Sequence, residues 1–177
     1  IHGNGERMSF SLLKRGDYDK VLFTGGTETG GVVAEAAGLR RKPVSLELGG
    51  HAAIILMDDF DVDRAVREAV RANCGDAGQR CVSLRAVFVH EKVADQFTKK
   101  YIEAIQELRV GPPEDFGTTM GPLISEEQLR RVHQGVGRVL TSVIFGGAPF
   151  KGEQPDSSVF PHVDASVCGR GWYYIHT

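Results

Sequence analysis

Cys81, in the polar run Gly78-Gln79-Arg80-Cys81, is the residue whose type and setting suit covalent chemistry best. A cysteine in a connector between a helix and a strand is more open to reagents than one on an apolar stripe, and its thiolate is a strong nucleophile. An unreactive, structural cysteine is the alternative for the residue taken alone. Glu47 is the second candidate, a carboxylate on the polar side of the alternating stretch Pro43 to Gly50, just before Gly49-Gly50. It can serve as a general base if a reactive centre lies opposite; ion pairing or capping is the other use of such a residue. The third candidate is the glycine cluster Thr24-Gly25-Gly26-Thr27-Glu28-Thr29-Gly30-Gly31. Glycine lets backbone approach an anion, and a helix that follows offers unpaired N–H groups and a positive dipole end, so phosphate suits this segment. A plain strand-to-helix turn is the competing reading.

Metal chemistry is not indicated. Asp59-x-Asp61-x-Asp63 opens like a calcium loop, but Arg64 stands where that loop needs glycine and Val70 where it needs the bidentate glutamate. His90-Glu91 begins a zinc-protease pattern, yet Ala94 occupies the place of the second histidine. Gly3-x-Gly5-x-x-Met8 is a poor dinucleotide fingerprint, with methionine in place of its third glycine.

The elements that must position the candidates follow from apolar spacing. Val21 to Phe23 reads as a strand, Thr27 to Leu39 as a helix with Val32, Val33, Ala36 and Ala37 at helical spacing, and Pro43 to Gly50 as a half-buried strand. Ala52 to Met57 is a further strand; a helix striped by Val62, Ala65, Val66, Ala69 and Val70 follows it, with Asp59, Asp61 and Asp63 at its start. Leu84 to Val89 is a strand, and Val93, Phe97, Tyr101, Ala104, Ile105 and Leu108 stripe the next helix. Ser125-Glu126-Glu127-Gln128 is a capping-box start for another. Strands alternating with helices predict an α/β fold with crossover connections. The 177 residues, 41% of them hydrophobic, suit a globular chain. With 21 Lys+Arg against 23 Asp+Glu, the net charge of -2 gives no basic field for nucleic acid or an anionic membrane. Three cysteines without regular spacing fit a reducing compartment, the cytoplasm or an organelle matrix.

Phe23-Thr24-Gly25-Gly26-Thr27-Glu28-x-Gly30, then Leu46-Glu47-Leu48-Gly49-Gly50, then Gly78-Gln79-Arg80-Cys81 resembles the aldehyde dehydrogenase superfamily in motif content, order and spacing. The similarity continues through Asp59-x-Asp61-x-Asp63-x-Ala65-Val66, Leu108-x-Val110-Gly111-Pro112-Pro113 and Gly121-Pro122-Leu123-Ile124, covers roughly residues 1 to 135, and fades beyond. It implies a partial architecture of that kind: residues 1–50 as the end of a Rossmann-like NAD(P)-binding domain, 51–145 as the first part of an α/β catalytic domain, and 146–177 as a weakly assigned tail.

By the same resemblance Cys81 is the nucleophile and Glu47 the general base of a reaction that turns an aldehyde into a carboxylic acid with NAD or NADP, through a thiohemiacetal and a thioester. Gly25, Gly26 and Gly30 belong to the strand-turn-helix that meets the cofactor pyrophosphate, while Leu48 and Gly49 line the nicotinamide end. The Cys81 backbone N–H contributes to the oxyanion hole. Gly26 stands where serine is usual, His51 where lysine is common and Asp76 where asparagine is common. The implied partners are a small aldehyde and further copies of the same chain in a dimer or tetramer, with no nucleic acid and no membrane. Whole members of the family are far longer, so the chain is expected to be a central fragment. A truncated product with at most cofactor-independent esterase activity is the competing expectation, and coenzyme-A acylation a lesser one. In a fragment, the apolar faces Val62-Val66-Val70 and Val93-Phe97-Tyr101-Ile105 are expected to lack partners.

Overall fold

A short β-branched or aromatic run followed by a helix and a second short run organises this chain twice over. The computed structural model describes residues 5–138, Phe145, 149–150 and 173–174. It divides into two units, Ile1–Gly50 and His51–Thr177.

In the first unit, helix α1 (Gly5–Arg15) precedes strand β1 (Val21–Thr24), helix α2 (Thr27–Leu39) and strand β2 (Val44–Glu47). β1 and β2 pair in parallel, Val21 opposite Val44 through Thr24 opposite Glu47. Parallel neighbours cannot be joined by a tight hairpin, so α2 forms the crossover. It buries Gly30, Val33 and Ala37, a stripe at helical spacing. The second strand is shorter than its alternating sequence suggests, because β1 offers ladder partners for only four residues. Helix α1 is not among the elements expected from apolar spacing; Leu13 is its buried anchor, and Lys14 and Arg15 sit favourably in its last turn.

The second unit repeats the plan: strand β3 (Ala52–Leu56), helix α3 (Val62–Cys74), a 3-10 stretch (Gly75–Gly78) and strand β4 (Leu84–Val89), with β3 and β4 parallel. Helices α4 (Glu91–Gln106) and α5 (Glu126–Gly137) follow. Of the tail from 146 onward, the described part is strand β5 (Pro149–Phe150) paired antiparallel with strand β6 (Tyr173–Tyr174); the rest lies outside the described residues.

Two apolar clusters fill this unit. Leu56, Val62, Ala65, Val66, Ala69, Leu84 and Phe97 form one; Cys74, Ala77, Ile105, Val110, Met120, Leu123 and Leu129 form the other. The stripes of α3 and α4 therefore find partners within the chain, contrary to the expectation that they would lack them: the two helices cover the same side of the β3–β4 pair and pack on each other. Exposed apolar side chains of this unit include the paired Ile55 and Phe88 on the opposite side of that sheet, 73% and 62% exposed. Lys92 bridges to Asp58 at 2.7 Å, and Lys100 to Asp63, pinning α4 to the start of α3.

Local capping chemistry fixes the helix starts. Ser125 Oγ accepts from the Gln128 N–H at 3.2 Å at the head of α5. Asp61 is the N-cap of α3, its carboxylate accepting from the Arg64 N–H at 3.1 Å. That hydrogen bond, above all, holds the Asp61 carboxyl below its ordinary range. Because the folded state favours the ionised form, the stabilisation is complete above the unfolded carboxyl's pKa of about 4 and is lost as pH falls through the lower folded value. Asp61→Ala is expected to lower the melting temperature at neutral pH and to approach the wild type on acidification. Thermal unfolding of both proteins across that range checks the convergence.

Candidate active site

In the first unit the β1–β2 ladder runs one step past the strand ends, the Gly25 N–H donating to the Glu47 carbonyl at 3.0 Å. The turn after β1 and the end of β2 therefore share the carboxyl edge of the sheet, where parallel α/β sheets bind ligands. Gly26 is the N-cap of α2, with φ -70° and ψ 149° and no side-chain cap. A Cβ there would meet nothing within 4 Å, and no side chain caps the first-turn N–H groups of α2. Four residues on, Gly30 is buried against Leu48: a Cβ at Gly30 would lie 2.5 Å from Leu48 Cδ2. The glycine is what lets α2 approach the residue after Glu47 so closely.

Gly25, Gly26, Gly30, Glu47 and Leu48 thus come to one end of the unit, with Gly49 exposed just beyond. Glu47 is exposed, and its carboxylate has no ion-pair partner among the described residues. Beside the first turn of α2 lies a groove of about 610 Å³ between α1, β1 and α2, walled by Phe10, Leu13, Val32 and Val33, with Ser9, Glu28 and Thr29 at its polar side. Open N–H groups at a helix start next to an apolar groove fit a dinucleotide, whose phosphates are anionic and whose rings are flat and weakly polar.

In the second unit Cys81 lies in the turn leading into β4, exposed. Its loop is closed by a fully buried serine: Ser83 Oγ accepts from the Arg80 N–H at 3.2 Å while the Ser83 N–H donates to the Arg80 carbonyl at 3.1 Å. The Arg80 guanidinium is engaged at the end of α3, donating to the Arg71 carbonyl at 3.3 Å and bridging to the Asp76 carboxylate at 3.3 Å. The Gln79 carboxamide reaches Pro122 and Ile124, more than forty residues along the chain. Cys74 contrasts with Cys81: it is buried, and desolvation pushes its thiol up to about 11, so it stays protonated and shielded. Of the two described cysteines, only Cys81 is placed to react. Neither the buried Ser83 nor the reach of Gln79 is indicated by the sequence, since both bond to backbone atoms.

Residues 1–167 match the aldehyde dehydrogenase family. The chain belongs to that family. It is 33% identical over 162 residues to a hydroxyisobutyraldehyde dehydrogenase of Mycolicibacterium austroafricanum, covering 90% of this chain and 32% of the relative. It is 37% identical over 132 residues to a putative succinate-semialdehyde dehydrogenase [NADP(+)] 2 of Mycobacterium ulcerans (strain Agy99), covering 75% and 25%. The crystal structure of lactaldehyde dehydrogenase from Escherichia coli superposes with a TM-score of 0.83 at 31% identity over 98% of this chain and 34% of that one. The chain spans about a third of the length of the first of these relatives. The α/β architecture expected from the sequence is thus that of part of an aldehyde dehydrogenase.

The neighbouring glycines of α2 should respond oppositely to the same change. Gly31 is exposed and a Cβ there meets nothing within 4 Å, so Gly31→Ala is expected to stabilise the fold by about 0.5–1 kcal/mol, the ordinary cost of glycine inside a helix. Gly30→Ala must displace the Leu48 side chain, and is expected to cancel that gain and weaken dinucleotide binding. Thermal unfolding and dinucleotide titration of the two variants measure the contrast.

Proposed function

We propose that the protein oxidises an aldehyde to a carboxylic acid with NAD or NADP as the acceptor, using Cys81 as nucleophile and Glu47 as general base. The observation that carries this reading is Cys81 itself: an exposed thiol on a loop tied down on both sides, in a chain that matches the family through residue 167. The open first turn of α2 with Gly25 and Gly26 would hold the pyrophosphate, and the groove beside Val32 and Val33 one of the flat rings. A bound nicotinamide supplies the hydride acceptor.

The chain's own residues do the remaining work. The Cys81 sulfur adds to the aldehyde carbon, turning the carbonyl oxygen into an alkoxide that the Cys81 backbone N–H helps to stabilise. Once that carbon has lost its hydride it is held on Cys81 as a thioester. Glu47 then takes a proton from water, the water oxygen attacks the acyl carbon, and sulfur leaves as thiolate with release of the acid. Gly26 would offer the pyrophosphate a backbone N–H but no hydroxyl, so contact there would rely on the helix start alone. The named relatives act on small aldehydes carrying a second oxygen function, and short oxygenated aldehydes are the substrate class we assign. The working enzyme is a homo-oligomer.

Hydroxyisobutyraldehyde, succinate semialdehyde and lactaldehyde, each with NAD and with NADP, form the assay set. Cys81→Ala is expected to abolish aldehyde-dependent NAD(P)H formation. Glu47→Gln is expected to keep a first burst of about one NAD(P)H per site and then slow by roughly 10²–10⁴-fold, the range typical of a lost general base. Undiminished turnover in Cys81→Ala would overturn the assignment.

A further inference from the structure

We propose that Gln79 is the positioning residue of the thiol loop: its carboxamide fastens the turn before Cys81 to the segment 122–124 and so sets where the sulfur is presented. The proposal rests on the reading of Cys81 as nucleophile, but the clamp itself has a readout independent of that chemistry.

The turn needs a clamp because of its backbone. After α3 ends, Asp76, Ala77 and Gly78 have φ of 52°, 54° and 71°, three consecutive residues in the left-handed region. Glycine adopts this freely and aspartate tolerates it, but at Ala77 the Cβ crowds the following carbonyl and disfavours the conformation. Such a conformation persists only where its surroundings over-determine it. One restraint is burial: Ala77 is 5% exposed, in the cluster with Ile105, Val110, Met120, Leu123 and Leu129.

The other restraint is Gln79. Its Nε2 donates to the Asp76 carbonyl at 3.0 Å, inside the strained turn, and to the Pro122 carbonyl at 3.3 Å. Its Oε1 accepts from the Ile124 N–H at 2.8 Å. Both amide hydrogens and the carbonyl oxygen are therefore used, and the backbone N–H of Gln79 adds a bond to the Asp76 carbonyl at 3.1 Å. Aspartate, asparagine and serine are too short to span these groups, and glutamate would set a carboxylate against two carbonyl oxygens. On the other side of Cys81, the Arg80–Ser83 pair closes the loop. The thiol thus stands on a short exposed tip whose approach is set by Gln79 and whose exit is set by Ser83.

The test uses the protein with Gln79→Leu, Gln79→Glu and Cys81→Ser, read by steady-state kinetics and by hydrogen exchange of the Ile124 amide. In Gln79→Leu we expect kcat to fall at least about tenfold while KM for the dinucleotide stays within about twofold, the pattern of a lost positioning contact. Exchange at Ile124 should rise at least about tenfold, with β4 and α4 unchanged, since one acceptor has been removed from one amide. Gln79→Glu should be poor at neutral pH and recover relative to wild type on acidification, because a protonated carboxyl regains one donor for the two carbonyls. Should Gln79→Leu fail to fold, Gln79→Glu and its pH profile carry the same test.

A kcat within about twofold of wild type in Gln79→Leu, or a Gln79→Glu defect that does not change with pH, would overturn the proposal. If Cys81→Ser still oxidises aldehyde, the nucleophile reading fails on its own; unchanged Ile124 exchange in Gln79→Leu refutes the clamp whatever the nucleophile.

Discussion

Parallel strand pairing is the constraint from which the placement of every candidate residue follows. A parallel pair cannot be closed by a two-residue turn, so each unit must send the chain along a helix and back. In the first unit this leaves the turn after β1 and the end of β2 on one edge, and the Gly25 to Glu47 hydrogen bond carries the ladder into that edge. The helix start, the glycines and the carboxylate are gathered by a single topological requirement. In the second unit the same requirement creates a return connection from α3 to β4, and Cys81 lies there, at the amino end of its strand.

The two situations differ in how much the fold supplies without further help. At a carboxyl edge, strand ends, helix dipole and open N–H groups converge by construction. A return connection has no such geometry, and the chain holds it with side chains instead: Gln79 on one side, Ser83 on the other, Arg80 tied back to α3, and Ala77 sunk in the core. A reactive group held this way tolerates a strained turn because several bonds share the load.

Much of this was readable from residue types. The helix over Thr27 to Leu39 and the strand over Leu84 to Val89 have the bounds expected from apolar spacing and glycine punctuation. Helix α1 carries Met8, Leu12 and Leu13 at helical spacing, but its start beside Gly3-x-Gly5 reads first as a glycine turn. β2 ended early because a strand exists only where its partner does. The apolar stripes of α3 and α4 were legible as stripes, but sequence does not say what covers them, and each turned out to cover the other. Cys81, Glu47 and the glycines carry motifs of residue identity. The clamp at Gln79 does not, because its partners are carbonyls and an amide of residues 76, 122 and 124, which any side chain would have offered.

The central claim is that substrate carbon is held covalently by Cys81 while it changes from aldehyde to acid. Trapping that state is the most direct test: Glu47→Gln is mixed with a short aldehyde and NAD or NADP, quenched in acid, digested and mapped by peptide mass spectrometry. The account predicts an acyl adduct on the peptide carrying Cys81 and none on that carrying Cys74. An adduct at another residue, or product formed with no adduct accumulating, would contradict it.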